Sequence, residues 1–441
     1  MKQHSPKSAV CVLLALLMTL LCAMPAFAAE EAQPPAVFSE LKDPSGGLLV
    51  VSKYGDTQNY PEQSCEGILA AAEAGADMIY VTVRKTSDGF FVLMADETLQ
   101  RMCVDSLGNT AEKALADIGY HELSTYHLRA GKGGLHEKIT ASTVPTLLEI
   151  AEKLSGKALL LMDGVWDARD EIYTQLSDNN LLGSVVFVAD GDKKEVKNWL
   201  SAKQTMPLVI SRYDGNVVFS AKSVISKTLQ AGAVGTWLSS GNPYSVVYGE
   251  SVLAKFPGAG RAVIDMTDPA HCGKRADNPI GWNDVTARGY SVLITENITE
   301  LCEYRARVLL QKERLSATIE KAQNIDVTLC STESVKSLKK AIGNAKTVLA
   351  SSVSENSLTE ANYELRLALS GLTNQTEGES GKSTVTAGRV AIVIAVVAAL
   401  IILEVVLESV RRKKVQKRKK QRERDRKRAE REKERNDEDS V

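Results

Sequence analysis

Short apolar runs alternate with amphipathic helical stretches along most of this chain. Helix-period segments separate the runs, and a closing helix starts at Ile298. Eight strand–helix units in about 260 residues are typical of a (β/α)₈ TIM barrel, which we place at residues 47–311. An open doubly wound sheet is the alternative, but no Gly-x-Gly-x-x-Gly follows the first strand. The predicted strands are Leu48–Lys53, Met78–Arg84, Ala158–Asp163, Val185–Ala189, Leu208–Ser211, Gly235–Leu238, Ala262–Asp265 and Val292–Thr295.

Residues 312–373 change to the pattern of long helices and predict a small all-α three-helix bundle. Apolar residues recur at spacings of three and four within Thr332–Ala350 and again within Thr359–Leu372. With Thr332-Glu333-Ser334 as a helix start, the segment resembles the FIVAR module of bacterial surface proteins. A plain helical spacer is the alternative.

The N-terminus has the pattern of a secretory signal peptide, which we place at residues 1–28. Lys2 and Lys7 precede an apolar run, and Ala26-Phe27-Ala28 forms a small-residue cleavage site. A membrane anchor is the alternative. Residues 29–46 are predicted to be a linker.

A second apolar stretch near the C-terminus predicts a single transmembrane helix at residues 388–409, after a polar linker at 374–387. Arg411-Arg412-Lys413-Lys414 follow it, and basic residues mark the cytoplasmic side of a span. We therefore expect a type I protein of the cell membrane. Its barrel and bundle would be extracellular, and residues 410–441 would form a basic cytoplasmic tail.

The charge of the chain is unevenly distributed. The tail from Arg411 holds 16 Lys and Arg against 8 Asp and Glu, and the rest of the chain holds 38 against 47. Such a tail is suited to anionic inner-leaflet lipid. No nucleic-acid partner is expected, because the tail has no aromatic interleaving or recognised fold. Five scattered cysteines after residue 28 do not predict a disulfide framework, and we expect most of them to be buried.

The segment from Leu48 to Asp96 carries a set of motifs around a βαβ unit. They are Gly55, Pro61-Glu62, Gly75-Ala76-Asp77, Thr86-x-Asp88-Gly89 and Asp96. This layout resembles the glycerophosphodiester phosphodiesterase family, and the resemblance extends from about Gly47 to Arg305. It implies a TIM barrel, a phosphoric diester hydrolase activity in lipid metabolism, and a site at the carboxyl ends of the strands.

The same alignment implies that the reactive groups have been replaced. Lys53 and Tyr54 stand where the family has a catalytic His and its Arg neighbour, and Ala95 replaces the second His. Tyr80 and Thr82 replace two carboxylates that hold the family's divalent cation. The family's reaction needs the cation and a His pair, so the chain resembles a pseudoenzyme.

Three acidic residues remain at or near the motif positions: Glu62, Asp96 and Asp163. They could hold Ca²⁺ or Mg²⁺ weakly, although we expect no cofactor. We expect instead that Glu62 and Asp96 bond to loop backbone.

Lys53 lies where the phosphate of a substrate would be, so we consider it an anion-binding candidate, with Tyr54 or Tyr80 beside it. The alternative is a salt bridge to Glu62 or Asp163. His127 or His136 could serve as a substitute base, but a surface position is the expectation for both.

Two functional hypotheses follow. The first is a degenerate barrel that binds or scaffolds a glycerophosphoryl or other anionic ligand, such as a cell-envelope polymer. The second is an active phosphodiesterase with a rearranged site. Release of glycerol 3-phosphate from a glycerophosphodiester would distinguish the second hypothesis from the first.

Overall fold

The computed structural model describes residues 35–373, and within this part of the chain eight parallel strands close into a barrel. The ring order is β1-β11-β10-β9-β8-β7-β6-β2, and β2 pairs with β1 to close it. The short β3 adds an antiparallel partner outside β2. The predicted barrel is confirmed. The eight barrel strands are β1 Leu49–Lys53, β2 Met78–Lys85, β6 Leu159–Asp163, β7 Val185–Ala189, β8 Leu208–Asp214, β9 Gly235–Ser239, β10 Arg261–Asp265 and β11 Val292–Thr295, and the added strand is β3 Phe91–Leu93.

Helices cover the outside of the barrel. Before β8 they are α2 Cys65–Glu73, α4 Leu147–Leu154, α5 Arg169–Asp178 and α6 Lys193–Ser201; after it come α7 Val218–Gln230, α8 Glu250–Leu253 and α9 Pro279–Arg288. Their ends follow local chemistry. Asn278 caps α9 by accepting from the amides of Ile280 and Gly281, and Gly289 ends the helix in the left-handed region.

Alternate strand residues point into the barrel and form a packed apolar interior. Leu49, Met78, Leu159, Ile210 and Val263 belong to this interior cluster, and each is at most 1% exposed. The period of two along each strand then carries the inward face up to the carboxyl ends, where the side chains become polar.

A short helix, α1 Ala36–Lys42, closes the amino-terminal end of the barrel, where the sequence had predicted only a linker. Val37 and Leu41 are buried against the interior cluster, four residues apart on one face. The fully buried Arg261 donates to the backbone carbonyls of Glu40, Gly46 and Gly47 at 2.8 Å. The linker prediction for residues 29–46 was therefore wrong over α1.

An insert between β3 and α4 has a small core of its own. It contains β4 Cys103–Val104, the one-turn helix α3 Tyr120–Leu123 and β5 His127–Leu128. Leu99, Leu115 and Leu123 are buried together in this core.

Three helices follow the barrel: α10 Ile298–Asn324, α11 Thr332–Ser351 and α12 Glu355–Ser370. The three-helix prediction is confirmed, but the boundary at residue 311 was wrong, because α10 runs through it without interruption. Helix α10 is thus both the last helix of the barrel and the first helix of the bundle. The resemblance of the bundle to the FIVAR module stays a prediction.

The described helices include none that is long and apolar enough to cross a membrane. The predicted signal peptide, C-terminal span and basic tail lie outside the described residues.

Candidate functional site at the barrel mouth

The strand ends bring the motif positions together, as the alignment requires. Lys53 is in register with Tyr80 on β2, and Thr82 is in register with Asp163 on β6. Ala95 follows β3, where the amide of Met94 donates to Thr82 O at 3.0 Å. These positions therefore lie around one end of the barrel, which we call the barrel mouth.

Lys53 is held by partners that the sequence analysis did not name. Its Nζ donates to Asp265 Oδ2 at 3.0 Å and to Thr267 Oγ1 at 2.7 Å, so the alternative of a salt bridge was right in kind but wrong in naming Glu62 or Asp163 as the partner. Burial opposes the charge on Lys53, but the Asp265 carboxylate outweighs burial and raises the pKa of the amine. Lys53 is consequently an ammonium ion at neutral pH, without a lone pair to accept a proton.

A second network joins Tyr80 to three charged groups. The Tyr80 hydroxyl donates to Asp163 Oδ2 at 2.5 Å, and Arg212 Nη1 donates to the same oxygen at 2.8 Å. Arg212 also forms a two-pronged pair with Asp190, at 2.6 and 2.8 Å. Burial raises the pKa of the Tyr80 hydroxyl, which therefore keeps its proton and donates it in a hydrogen bond.

Aromatic rings line the same end of the barrel. Tyr54 and Tyr80 have ring centroids 5.4 Å apart, and Trp237 meets Tyr80 edge to face at 5.4 Å. The Arg212 guanidinium lies 5.3 Å from the Trp237 ring, a cation–π distance. Tyr54 itself is in the left-handed region, at φ 63°.

Glu62 and Asp96 are both paired with Arg101, which anchors the insert to the mouth. Arg101 donates to both Glu62 oxygens, at 2.5 and 3.0 Å, and to Asp96 Oδ2 at 2.6 Å. The expectation that these two carboxylates bond mainly to loop backbone was wrong.

The residues present do not fit the family's divalent cation. Asp163 Oδ2 already accepts from Tyr80 and Arg212, and Glu62 and Asp96 are both engaged by Arg101. Within residues 35–373, no three His, Cys, Asp or Glu side chains are grouped as metal ligands. A phenol and a threonine hydroxyl stand at the two remaining positions, and hard cations prefer carboxylate oxygens.

The retained family motifs have structural roles. A Cβ on Gly55 would lie 2.7 Å from the backbone of Gly67, and φ at Gly55 is +87°. Asp77 accepts from the amide of Val50 and from Arg305, while Asp88 accepts from Thr86 Oγ1 at 2.6 Å. These contacts hold the frame whether or not the site is reactive.

Sequence reasoning missed four residues of the mouth: Asp190, Arg212, Trp237 and Asp265. The alternation of inward and outward side chains along a strand could have identified Arg212, because this residue is two positions beyond the buried Ile210 on the inward face of β8. The two histidines considered as substitute bases lie in the insert, and neither forms a described hydrogen bond to Lys53 or Asp163.

Comparison with known proteins gives a family model and a curated relative. Residues 55–214 match the model of the glycerophosphoryl diester phosphodiesterase family. The glycerophosphodiester phosphodiesterase of Caldanaerobacter subterraneus subsp. tengcongensis is 34% identical over 114 residues, which cover 26% of this chain and 43% of the relative. The match thus spans less than half of that relative.

Comparison with solved structures gives partial matches at low sequence identity. A glycerophosphoryl diester phosphodiesterase from Parabacteroides distasonis is 17% identical with a TM-score of 0.46, over 60% of this chain and 89% of that one. A glycerophosphodiester phosphodiesterase from Agrobacterium tumefaciens is 14% identical with a TM-score of 0.43, over 58% and 99%. The family match over residues 55–214 and the curated relative together support a domain of the glycerophosphoryl diester phosphodiesterase family in this chain.

Proposed function

We propose that the barrel is a catalytically degenerate family member that binds a glycerophosphoryl or other anionic ligand without hydrolysing it. The observation that carries the proposal is the pairing of Lys53 with Asp265 at the position of the first catalytic His. A paired ammonium ion cannot take a proton from water, and Ala95 has no group that could supply one.

The unused hydrogen-bonding capacity at the mouth favours a ligand rich in acceptor oxygens. Within the part of the chain that the structure describes, Gln63 Nε2 and Trp237 Nε1 are buried donors without a hydrogen-bond partner. Two of the three donors of Lys53 are used, and Arg212 uses three of its five. Phosphoryl oxygens would satisfy such donors, and buried unpaired donors are costly.

Lys53 and Arg212 lie on opposite sides of the barrel mouth. β1, which carries Lys53, and β8, which carries Arg212, are four strands apart in a ring of eight. Asp265 on one side, with Asp163 and Asp190 on the other, fixes their directions. A phosphoryl group between them would meet donors that are already oriented, which lowers the entropic cost of binding.

Binding of glycerol 3-phosphate, measured by calorimetry with glycerol as the neutral comparison, tests the proposal. The variant Lys53→Gln/Asp265→Asn removes both charges while keeping similar shapes, and it should lose affinity for the phosphate. Lys153→Gln changes an exposed lysine on α4 and should bind as the unaltered protein does. Equal affinity in the two variants, or equal binding of glycerol, would contradict the proposal.

We further propose that the barrel is displayed outside the cell membrane, with the three-helix bundle as a FIVAR-like spacer. The apolar stretch before Arg411 and the basic tail after it support this orientation. Protease added to intact cells should then remove the barrel and spare the tail. Protection of the barrel from the protease would indicate the opposite orientation in the membrane.

A further inference from the structure

A basic groove runs between α6 and α7 on the outer surface of the barrel. Its volume is about 430 Å³. Three of its lysines are on α6, the fourth is on α7, and its other lining residues are small or neutral: Lys193, Lys194, Lys197, Lys227, Gln230 and Ala231. No aromatic or large aliphatic side chain lines it.

These four lysines have no described ion-pair partner. None of them takes part in a salt bridge within residues 35–373, although most basic residues of the barrel mouth do. The nearest carboxylates in sequence are engaged elsewhere. Glu195 pairs with Arg169 at 2.8 Å, and Asp192 accepts from the amide of Lys194 as the cap of α6.

The lysines of α6 also occupy positions that weaken the helix. Lys193 and Lys194 are in its first turn, where the helix dipole favours anions and disfavours cations. Lys193 and Lys197 form a like-charge pair four residues apart, which is mildly destabilising. Asp192 and Glu195 at the same end of α6 offset part of this cost, but neither forms a described salt bridge with the lysines, which remain available to an anionic ligand.

We propose that this groove binds a linear polyanion, a polymer with closely spaced phosphate groups. Several charges spread over two helices match a series of phosphates better than one compact anion, and each lysine acts as a point charge toward a phosphate. The proposal does not depend on the ligand of the barrel mouth, which is a separate site.

A bilayer surface fits the groove less well than a polymer does. Proteins that lie on membranes combine basic residues with aromatic or large aliphatic side chains that enter the headgroup region. The groove is concave and has no such side chain in its lining. An extended polymer can enter it, whereas a flat surface meets only its rim.

The test is residue-resolved lysine acetylation of the 441-residue chain, with and without long-chain inorganic polyphosphate. Mass spectrometry reports each lysine separately, so binding of polyphosphate to the basic tail does not obscure the groove. Polyphosphate should slow acetylation of all four groove lysines, which are Lys193, Lys194, Lys197 and Lys227. It should leave Lys339 and Lys340, exposed on α11, unchanged.

A pair of charge-matched variants makes the test specific. In Lys194→Gln/Lys197→Gln/Lys227→Gln, the protection of Lys193 should disappear, and binding to the groove should fall roughly tenfold or more at low salt. In Lys339→Gln/Lys340→Gln/Lys346→Gln, which removes the same charge from α11, Lys193 should stay protected. Far-ultraviolet circular dichroism checks that both variants fold.

Four outcomes would overturn the proposal. Groove lysines could react equally with and without polyphosphate, or Lys193 could stay protected in the groove variant. Inorganic monophosphate could protect as well as the polymer, which would indicate a single-anion site. Phosphatidylglycerol vesicles could give the protection instead, which would indicate docking on a membrane.

Discussion

The Lys53 ammonium lies 3.0 Å from the Asp265 carboxylate at the position where the family has a catalytic His. The Asp265 side chain is only 4% exposed, so it depends on Lys53 for neutralisation. A group that serves as the partner of a buried anion is fixed in charge and direction. In the proposed function, this pairing accounts for a fixed cation at the position of the family's catalytic base.

Removing only one of the two charged side chains of this pair should destabilise the fold. Lys53→Met leaves Asp265 buried and unpaired, and we expect a loss of about 3–5 kcal/mol in the free energy of unfolding. Lys53→Met/Asp265→Leu removes both charges and should recover most of that loss. Urea denaturation measures both variants, and a double variant as unstable as the single one would contradict the pairing.

The same pair predicts a pH dependence at the alkaline end. The pKa of Lys53 is raised in the folded protein above its ordinary value of 10.5. A cation with a raised pKa stabilises the fold fully below the ordinary value, and this stability is lost as pH rises through the folded value. The stability difference between the unaltered protein and Lys53→Met/Asp265→Leu should therefore be flat near neutrality and change only above about pH 10.5. Denaturation across pH measures it, and a change near neutrality would indicate a depressed pKa.

The bundle is docked on the barrel through the buried Tyr304. Its hydroxyl donates to Asn283 Oδ1 at 3.0 Å and accepts from the amide of Glu355 at 3.3 Å, at the start of α12. Tyr304→Phe should cost on the order of 1–3 kcal/mol and should speed hydrogen exchange at the start of α12. Tyr363→Phe, on the exposed face of α12, is the matched control and should change neither property.

The cysteines should differ in reactivity. All five described cysteines are free; Cys103 and Cys272 are buried, and the other three are partly exposed, so the expectation that most are buried was wrong. Burial raises the pKa of Cys103 to about 12 and that of Cys272 to about 11. Iodoacetamide at pH 8 should modify both only after unfolding, because the thiolate is the nucleophile. Rapid modification of Cys103 in the native protein would contradict its burial.

The barrel could be predicted from the sequence, because eight apolar runs and several family motifs place strands at the same positions along the chain. The network of hydrogen bonds and ion pairs at the barrel mouth could not be predicted in this way. Arg212 lies one residue beyond the predicted end of its strand, and the importance of Asp265 depends on which strand faces Lys53. Helix α10 was divided at residue 311 because the change of pattern was taken as a boundary, although no Gly or Pro interrupts Ile298–Asn324.

Hydrolysis itself is the most direct test of a degenerate site. The unaltered protein should release no detectable glycerol 3-phosphate from glycerophosphodiesters with calcium or magnesium present, because each lost acid or base typically costs about 10²–10⁴-fold in rate. Lys53→Ala should be equally inactive. Turnover by the unaltered protein that Lys53→Ala abolishes would contradict the account and make Lys53 a catalytic residue.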